Sequence, residues 1–201
     1  MNDQHRIVSS EGEELILVDE NDNEIAYRSK ADCHDGDGLL HRAFSLFLFN
    51  DNGELLLQRR AAGKRLWPGF WSNSCCSHPR RGEDLEVATA RRLSDELNIA
   101  ASLEHIYYFC YQAGFGAAGS ENELCHVFLG KIRGHVRPND SEIESVRFVD
   151  SNTLNRELAE QPGQFTPWFK QEWATLSRDY ERRAALHTAR DSDQWSFPSQ
   201  R

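Results

Sequence analysis

Two adjacent cysteines, Cys75 and Cys76, stand just before His78 in NSCCSHP, directly after the aromatic run LWPGFWS. A thiol can carry a proton or act as a nucleophile, and an imidazole can ligate a metal. Cys is also among the most buried residue types and often serves as a small hydrophobe, so the pair alone is compatible with either use. The run ENELC poses a related question. As a strand it sets Glu121 and Glu123 on one face, about 7 Å apart along the chain, with Cys125 continuing that face. Two carboxylates so placed repel unless solvent or a cation intervenes. An exposed edge would supply solvent, whereas the apolar continuation CHVFLGKI favours a buried strand and a metal or acid/base role. His34, His41 and His78 supply imidazoles. Three imidazoles and two carboxylates suit a divalent Mn, Fe, Zn or Mg ion better than a thiolate-rich structural site. Linear spacing does not by itself assemble the five.

Charge is distributed unevenly. The net charge of −9 argues against nucleic acid or an anionic membrane as partner. Yet Arg59, Arg60, Lys64 and Arg65 fall within seven positions, which suits a small anion. In EDLEVATARRLSDEL, Leu85, Thr89, Leu93 and Leu97 recur at helical spacing, giving a helix over 83–97. Arg92 and Glu96 lie within about 40° of each other beside that stripe. They form either an ordinary i, i+4 pair at its edge or part of a polar cavity in which Glu96 serves a cation.

The elements that position these residues are readable in outline. Leu15 to Val18 and Ile25 to Tyr27 read as strands around a polar turn, and ADCHDGDGLLH as a loop. RAFSLFLFN and ELLLQRR flank DNG, a hairpin signal. Segment 61–82 is long, punctuated by Gly and Pro, and rich in reactive side chains, the profile of a functional loop. IYYFCYQ and ELCHVFLGKI read as strands joined by GFGAAGSEN, and SVRFVD as another. From Thr166 an amphipathic helix carries Trp168, Phe169, Trp173 and Leu176, with Thr166 as cap and Pro167 at its first position. A polar tail is expected over about 181–201. The sum is one domain of α+β class, a mixed sheet flanked by helices, in a chain of 201 residues. No apolar run approaches membrane-spanning length. Five cysteines without a CxxC pair point to free thiols and a cytoplasmic location.

Taken in order, these features resemble the metal-dependent, Nudix-fold isopentenyl-diphosphate Δ-isomerases. The matching elements are His34 with His41 seven positions on, AFSLFLFN, QRRAAGKRLWPGFWSNSCCSHP, RRLSDEL, Tyr111, ENELC and TPW at 166–168. They span roughly residues 10 to 180. The Nudix signature Gx5Ex7REUxEExGU survives in part as SHPRRGEDLEVATARRLSDELNI. Glu83, Arg91, Leu93 and Glu96 are on pattern. Ser77 and Asn98 stand where glycines belong and need slightly different local backbones, Arg92 replaces a Glu, and Asp95 replaces another. Losing the carboxylate at 92 removes a magnesium ligand of Nudix hydrolases and counts against the alternative reading, hydrolysis of a nucleoside diphosphate derivative. A third reading, a non-enzymatic binding protein, would fit a chain lacking Cys76 or Glu123.

The resemblance implies a shift of the double bond between isopentenyl and dimethylallyl diphosphate, through protonation and deprotonation. It assigns the two acid/base roles to Cys76 and Glu123, with Tyr111 beside Glu123, and leaves Cys75 as filler. It implies that Trp168 faces the cationic carbon and that Arg60, Lys64 and Arg92 contact the diphosphate. His34, His41, His78, Glu121 and Glu123 would hold one divalent ion (Mn²⁺, Zn²⁺ or Mg²⁺), and Glu96 would hold Mg²⁺ with the diphosphate. The aromatic run LWPGFWS is expected to wall the prenyl tail. The partner is a small prenyl diphosphate, not nucleic acid or membrane, and the oligomeric state stays open.

Overall fold

The computed structural model describes residues 6–187, with side chains through residue 178. β1 (Glu14–Val18) and β2 (Glu24–Ser29) pair antiparallel around the polar turn. The segment after them is not all loop: Lys30–His34 forms a one-turn helix, α1, because Ser29 caps it, its Oγ accepting from the Asp32 amide. β3 (His41–Phe49) and β4 (Leu55–Arg60) flank the DNG turn as expected. The long segment beyond β4 holds two short strands, β5 (Trp71–Ser72) and β6 (Cys75–Ser77), and β6 pairs antiparallel with β3.

α2 (Leu85–Arg92) starts two residues later than the apolar pattern, where the Asp84 side chain accepts from the Val87 amide. Its continuation, Leu93–Leu97, is a π-helical turn that stops at Asn98. Asn98 takes the left-handed conformation, φ 54°, which asparagine tolerates better than most residues. The missing signature glycine therefore demands no different backbone, contrary to the sequence expectation.

β7 (Leu103–Gly114) and β8 (Ser120–Lys131) make a long hairpin, and β8 also runs parallel to β3, from His41 opposite Glu123 to Phe49 opposite Lys131. β9 (Ile143–Val149) pairs with β4. α3 (Ser151–Glu160), capped by Asp150, was not legible in the apolar pattern. α4 (Pro167–His187) begins where the sequence placed it; the Thr166 carbonyl accepts from Lys170, and the Thr166 hydroxyl lies 2.9 Å from Ser72 Oγ. The helix backbone continues through His187; of the expected polar tail over 181–201, residues 188–201 lie outside the described residues.

Strand alternation divides the core into two layers. Ala43 and Phe47 of β3 join Val127, Leu129 and the Trp168, Phe169 and Trp173 side chains of α4. Phe44, Leu46 and Leu48 join Ala88 of α2 with Leu93 and Leu97 of the π-turn. The α+β expectation holds: one mixed sheet, with α4 on one face and α2 on the other.

Candidate active site

The parallel pairing of β3 with β8 sets His41 directly beside Glu123. α1 brings His34 to the same place, and His78 arrives just past β6. The three imidazole centroids lie 4.8, 4.9 and 5.3 Å apart. Gly119 seats α1 against the β7–β8 turn: its φ is 125°, and a Cβ there would fall 2.1 Å from the His34 carbonyl oxygen, a contact only glycine permits. One ligand atom each from His34, His41, His78, Glu121 and Glu123 lies within 4.8 Å of all the others.

The protonation of this cluster follows from its neighbours. His34 Nδ1 lies 2.7 Å from the Lys30 carbonyl, and His41 Nδ1 lies 2.7 Å from the Leu39 carbonyl. Carbonyls only accept, so each Nδ1 carries the proton and each neutral ring turns an Nε2 lone pair inward. His41 Nε2 is buried without a hydrogen-bond partner. Glu121 Oε2 is 2.8 Å from His34 Nε2 yet lacks the alignment of a hydrogen bond. An ion bound at about 2.1 Å to each of two opposed ligands separates them by about 4.2 Å, so this donor set fits a single divalent ion. Without the ion, burial opposes charge on His34, but Glu121 outweighs it and raises the His34 pKa. Glu121 in turn is held down to about 2, against its burial, by His34. Burial, with His34 adding to it, lowers His41 to about 4. Burial and then the Glu121 charge push Glu123 well above the usual carboxylate range.

All of these ligands but His41, which is fully buried, open onto a cavity of about 150 Å³. Cys76, Glu123, Tyr111 and Trp168 all line it, so the thiol and the carboxyl share one hollow. The three-residue strand β6 decides between the cysteines. Alternation turns Cys76 toward the cavity, while Cys75 points to the other layer, fully buried, its Sγ 3.4 Å from Glu96 Oε1. Tyr111 donates to Glu123 Oε2 at 2.6 Å, and His78 Nε2 lies 2.8 Å from Glu123 Oε1. Burial raises the Cys76 pKa to about 12, with the Arg60 guanidinium opposing that rise, so the thiol is neutral near pH 7. Arg60 Nη1 lies 3.7 Å from Cys76 Sγ.

The aromatic run behaves differently from expectation. Only Leu66 of LWPGFWS lines the cavity. Trp67, in a left-handed turn with φ 46°, packs edge-on behind Trp168 at 5.2 Å, and Trp71 turns away beneath the Arg147 guanidinium. The indole presented to the cavity is that of Trp168, anchored by Nε1 3.3 Å from Asn73 Oδ1 and by the Trp67 edge.

Positive charge collects in the cavity wall. Arg60, Lys64 and Arg92 line the cavity, together with Arg65 and with Lys30, which sequence reasoning missed. Arg59 faces outward to Glu144 at 3.2 Å. Glu142, also missed, bonds Lys64 and lies 3.4 Å from Arg92. Burial would raise the Glu142 pKa, but Lys64 and then Arg92 hold it down to about 2. Burial, with Lys64 adding to it, lowers Lys30. Glu96 does not line the cavity: it is 2% exposed, and its Oε1 accepts from Arg92 Nε at 2.8 Å. The two therefore form the i, i+4 pair, inside the protein rather than at a solvated edge. A lysine four residues before His34, on one helical turn, is the signal that would have found Lys30. Nothing local marks Glu142, 78 residues from Lys64.

Comparison with known proteins agrees with this geometry. The NUDIX domain model matches residues 39–169. An "Isopentenyl-diphosphate Delta-isomerase 1" of Photorhabdus laumondii is 39% identical over 170 residues, covering 84% of this chain and 97% of that protein. The Burkholderia multivorans "Isopentenyl-diphosphate Delta-isomerase" is 43% identical over 157 residues, covering 78% and 89%. Among solved structures, one from Deinococcus radiodurans matches with TM-score 0.61 at 22% identity, covering 74% of this chain and 90% of that one. The MutT protein of Methanosarcina mazei matches at 0.57 and 18%, covering 70% and 95%. These two share the fold. Domain match, sequence identity and site geometry lead to one conclusion: the chain belongs to the Nudix family, among its isopentenyl-diphosphate Delta-isomerases.

Proposed function

We propose that the protein interconverts isopentenyl and dimethylallyl diphosphate. The observation that carries this reading is the single hollow lined by Cys76 and by the Tyr111-bonded Glu123, together with cationic side chains. An unactivated alkene is a weak base. Moving its double bond requires a proton added at the terminal carbon and another removed two carbons away, through a tertiary cation. Cys76 and Glu123 are the two groups placed for those transfers, with Tyr111 holding the Glu123 oxygen. Which adds and which removes depends on the direction of reaction. Trp168 offers an indole face to the cationic carbon.

Arg60, Lys64, Arg92 and Lys30 grip the diphosphate, Arg as planar forks and Lys as point charges. His34, His41, His78, Glu121 and Glu123 would hold Mn²⁺, Zn²⁺ or Mg²⁺, and such an ion would fix the orientation and charge of the Glu123 carboxylate. Glu96 is the residue to hold Mg²⁺ with the diphosphate, once Arg92 exchanges it for phosphate oxygens. Burial of Cys75 and Cys125 as free thiols fits a reducing compartment such as the cytoplasm. No helix among the described residues is long and apolar enough to cross a membrane.

The test is incubation of purified protein with isopentenyl diphosphate and Mg²⁺, with detection of the acid-labile allylic isomer. Release of phosphate without allylic product would overturn the isomerase in favour of a hydrolase.

A further inference from the structure

Glu172 of α4 is fully buried and has no part in the chemistry described above. It follows Trp168 by four residues, so the two share a helix face about 6 Å apart. Its Oε1 lies 3.6 Å from Cys125 Sγ, which lies 3.4 Å from Ser45 Oγ. The Ser45 hydroxyl also engages the carboxyl. Oε2 has no hydrogen-bond partner. From β3, Glu172 faces Ser45; from β8 it faces Cys125, and its charge reaches Glu123 beyond. Among the described residues no Lys, Arg or His forms an ion pair with it.

This placement connects it to both acid/base groups. Ser45 stands opposite Cys76 in the β3–β6 pairing. Cys125 is two residues from Glu123, on the same face of β8. The carboxyl thus sits beneath the floor between the thiol and the carboxylate. A buried carboxyl with no counter-cation is costly, and an apolar side chain would fill the space at less cost. Burial raises its pKa to about 7, so it gains charge across neutral pH. An anion in a low-dielectric floor acts at range on a cation formed above it.

We propose that Glu172 acts from behind the cavity wall as a source of negative potential that favours the cationic intermediate without touching it. The proposal rests on the isomerase reading. Its test compares the protein with Glu172→Gln, which keeps the shape and the contacts to Ser45 and Cys125. Two diphosphate probes are used, one bearing a tertiary ammonium where the cation would form, the other its neutral carbon isostere. The wild type prefers the ammonium probe, and that preference grows as pH rises through about 7. Glu172→Gln lowers the preference about tenfold, leaves the neutral probe within about twofold, and reduces the rise of the preference with pH. Turnover follows: kcat falls about tenfold with KM unchanged. A preference that survives Glu172→Gln, or equal weakening of both probes, overturns the proposal. Should the variant not fold, a wild-type preference that does not change with pH overturns it equally. Failure of the isomerase reading shows separately, as wild-type protein that makes no allylic isomer.

Discussion

Glu142→Gln removes the negative charge that Lys64 and Arg92 share in the cavity wall. Glu142 is 4% exposed, bonds Lys64, and lies 3.4 Å from Arg92. Its pKa falls from an ordinary 4.5 to about 2 on folding. At 1.36 kcal/mol per unit, the carboxylate contributes about 3 kcal/mol, close to the cost of breaking a buried pair. For a chain of this size that is a loss of roughly 10 °C in Tm. Because the folded pKa lies below the unfolded one, the contribution is complete above about pH 4.5 and fades as pH falls toward 2. Urea unfolding of wild type and variant from pH 7 to pH 3 should therefore show a gap of about 3 kcal/mol that has more than halved at pH 3. Inorganic pyrophosphate restores countercharge to Lys64 and Arg92, so it stabilises the variant more than the wild type. Equal stability at pH 7, or a gap independent of pH, refutes the reasoning.

Other perturbations separate the roles of neighbouring groups. Cys76→Ala and Glu123→Gln should each abolish isomerisation with near-native circular dichroism. Cys75→Ala should cost about 1 kcal/mol of stability and leave turnover within a few-fold, since its thiol faces Glu96 rather than the cavity. Chelation should eliminate turnover and lower Tm, and loading with a divalent ion at a hundred times its Kd should restore about 2.7 kcal/mol. Ion affinity, followed by calorimetry, should weaken as pH falls, because Glu121 raises the His34 pKa against the effect of burial and so favours a competing proton. Trp168→Leu should lower kcat about thirtyfold with a smaller change in KM, the loss of about 2 kcal/mol of cation–π stabilisation, and Trp168→Phe should recover part of it. A Trp168→Leu enzyme with normal kcat would remove the indole from the chemistry.

Features with local signals were readable from the chain. The DNG turn, the Leu85–Leu97 stripe and the one-faced carboxylates of ENELC each depend on neighbours a few positions away. Features made by distant pairing were not. His41 meets Glu123 through a parallel register joining residues 82 positions apart, which no periodicity encodes. The resemblance supplied that set, and the geometry explains it. Cys76 is distinguished from Cys75 only by the parity of a three-residue strand inside a long irregular segment. The aromatic run misled because composition does not tell which way rings point: Trp67 enters a left-handed turn and becomes the backing of Trp168. Glu96 is a mixed case. Its helical position beside Arg92 is local, whereas the burial of the pair depends on the sheet packed over it.

The pairing of β3 with β8 also sets the order in which the molecule can mature. A ribosome must deliver the chain through Glu123 before the five-ligand cluster exists at all, because its members are drawn from residues 34 to 123. Contacts so remote in sequence close slowly. An ion held by this set would tie together three stretches made far apart in the chain, around 34–41, 78 and 121–123.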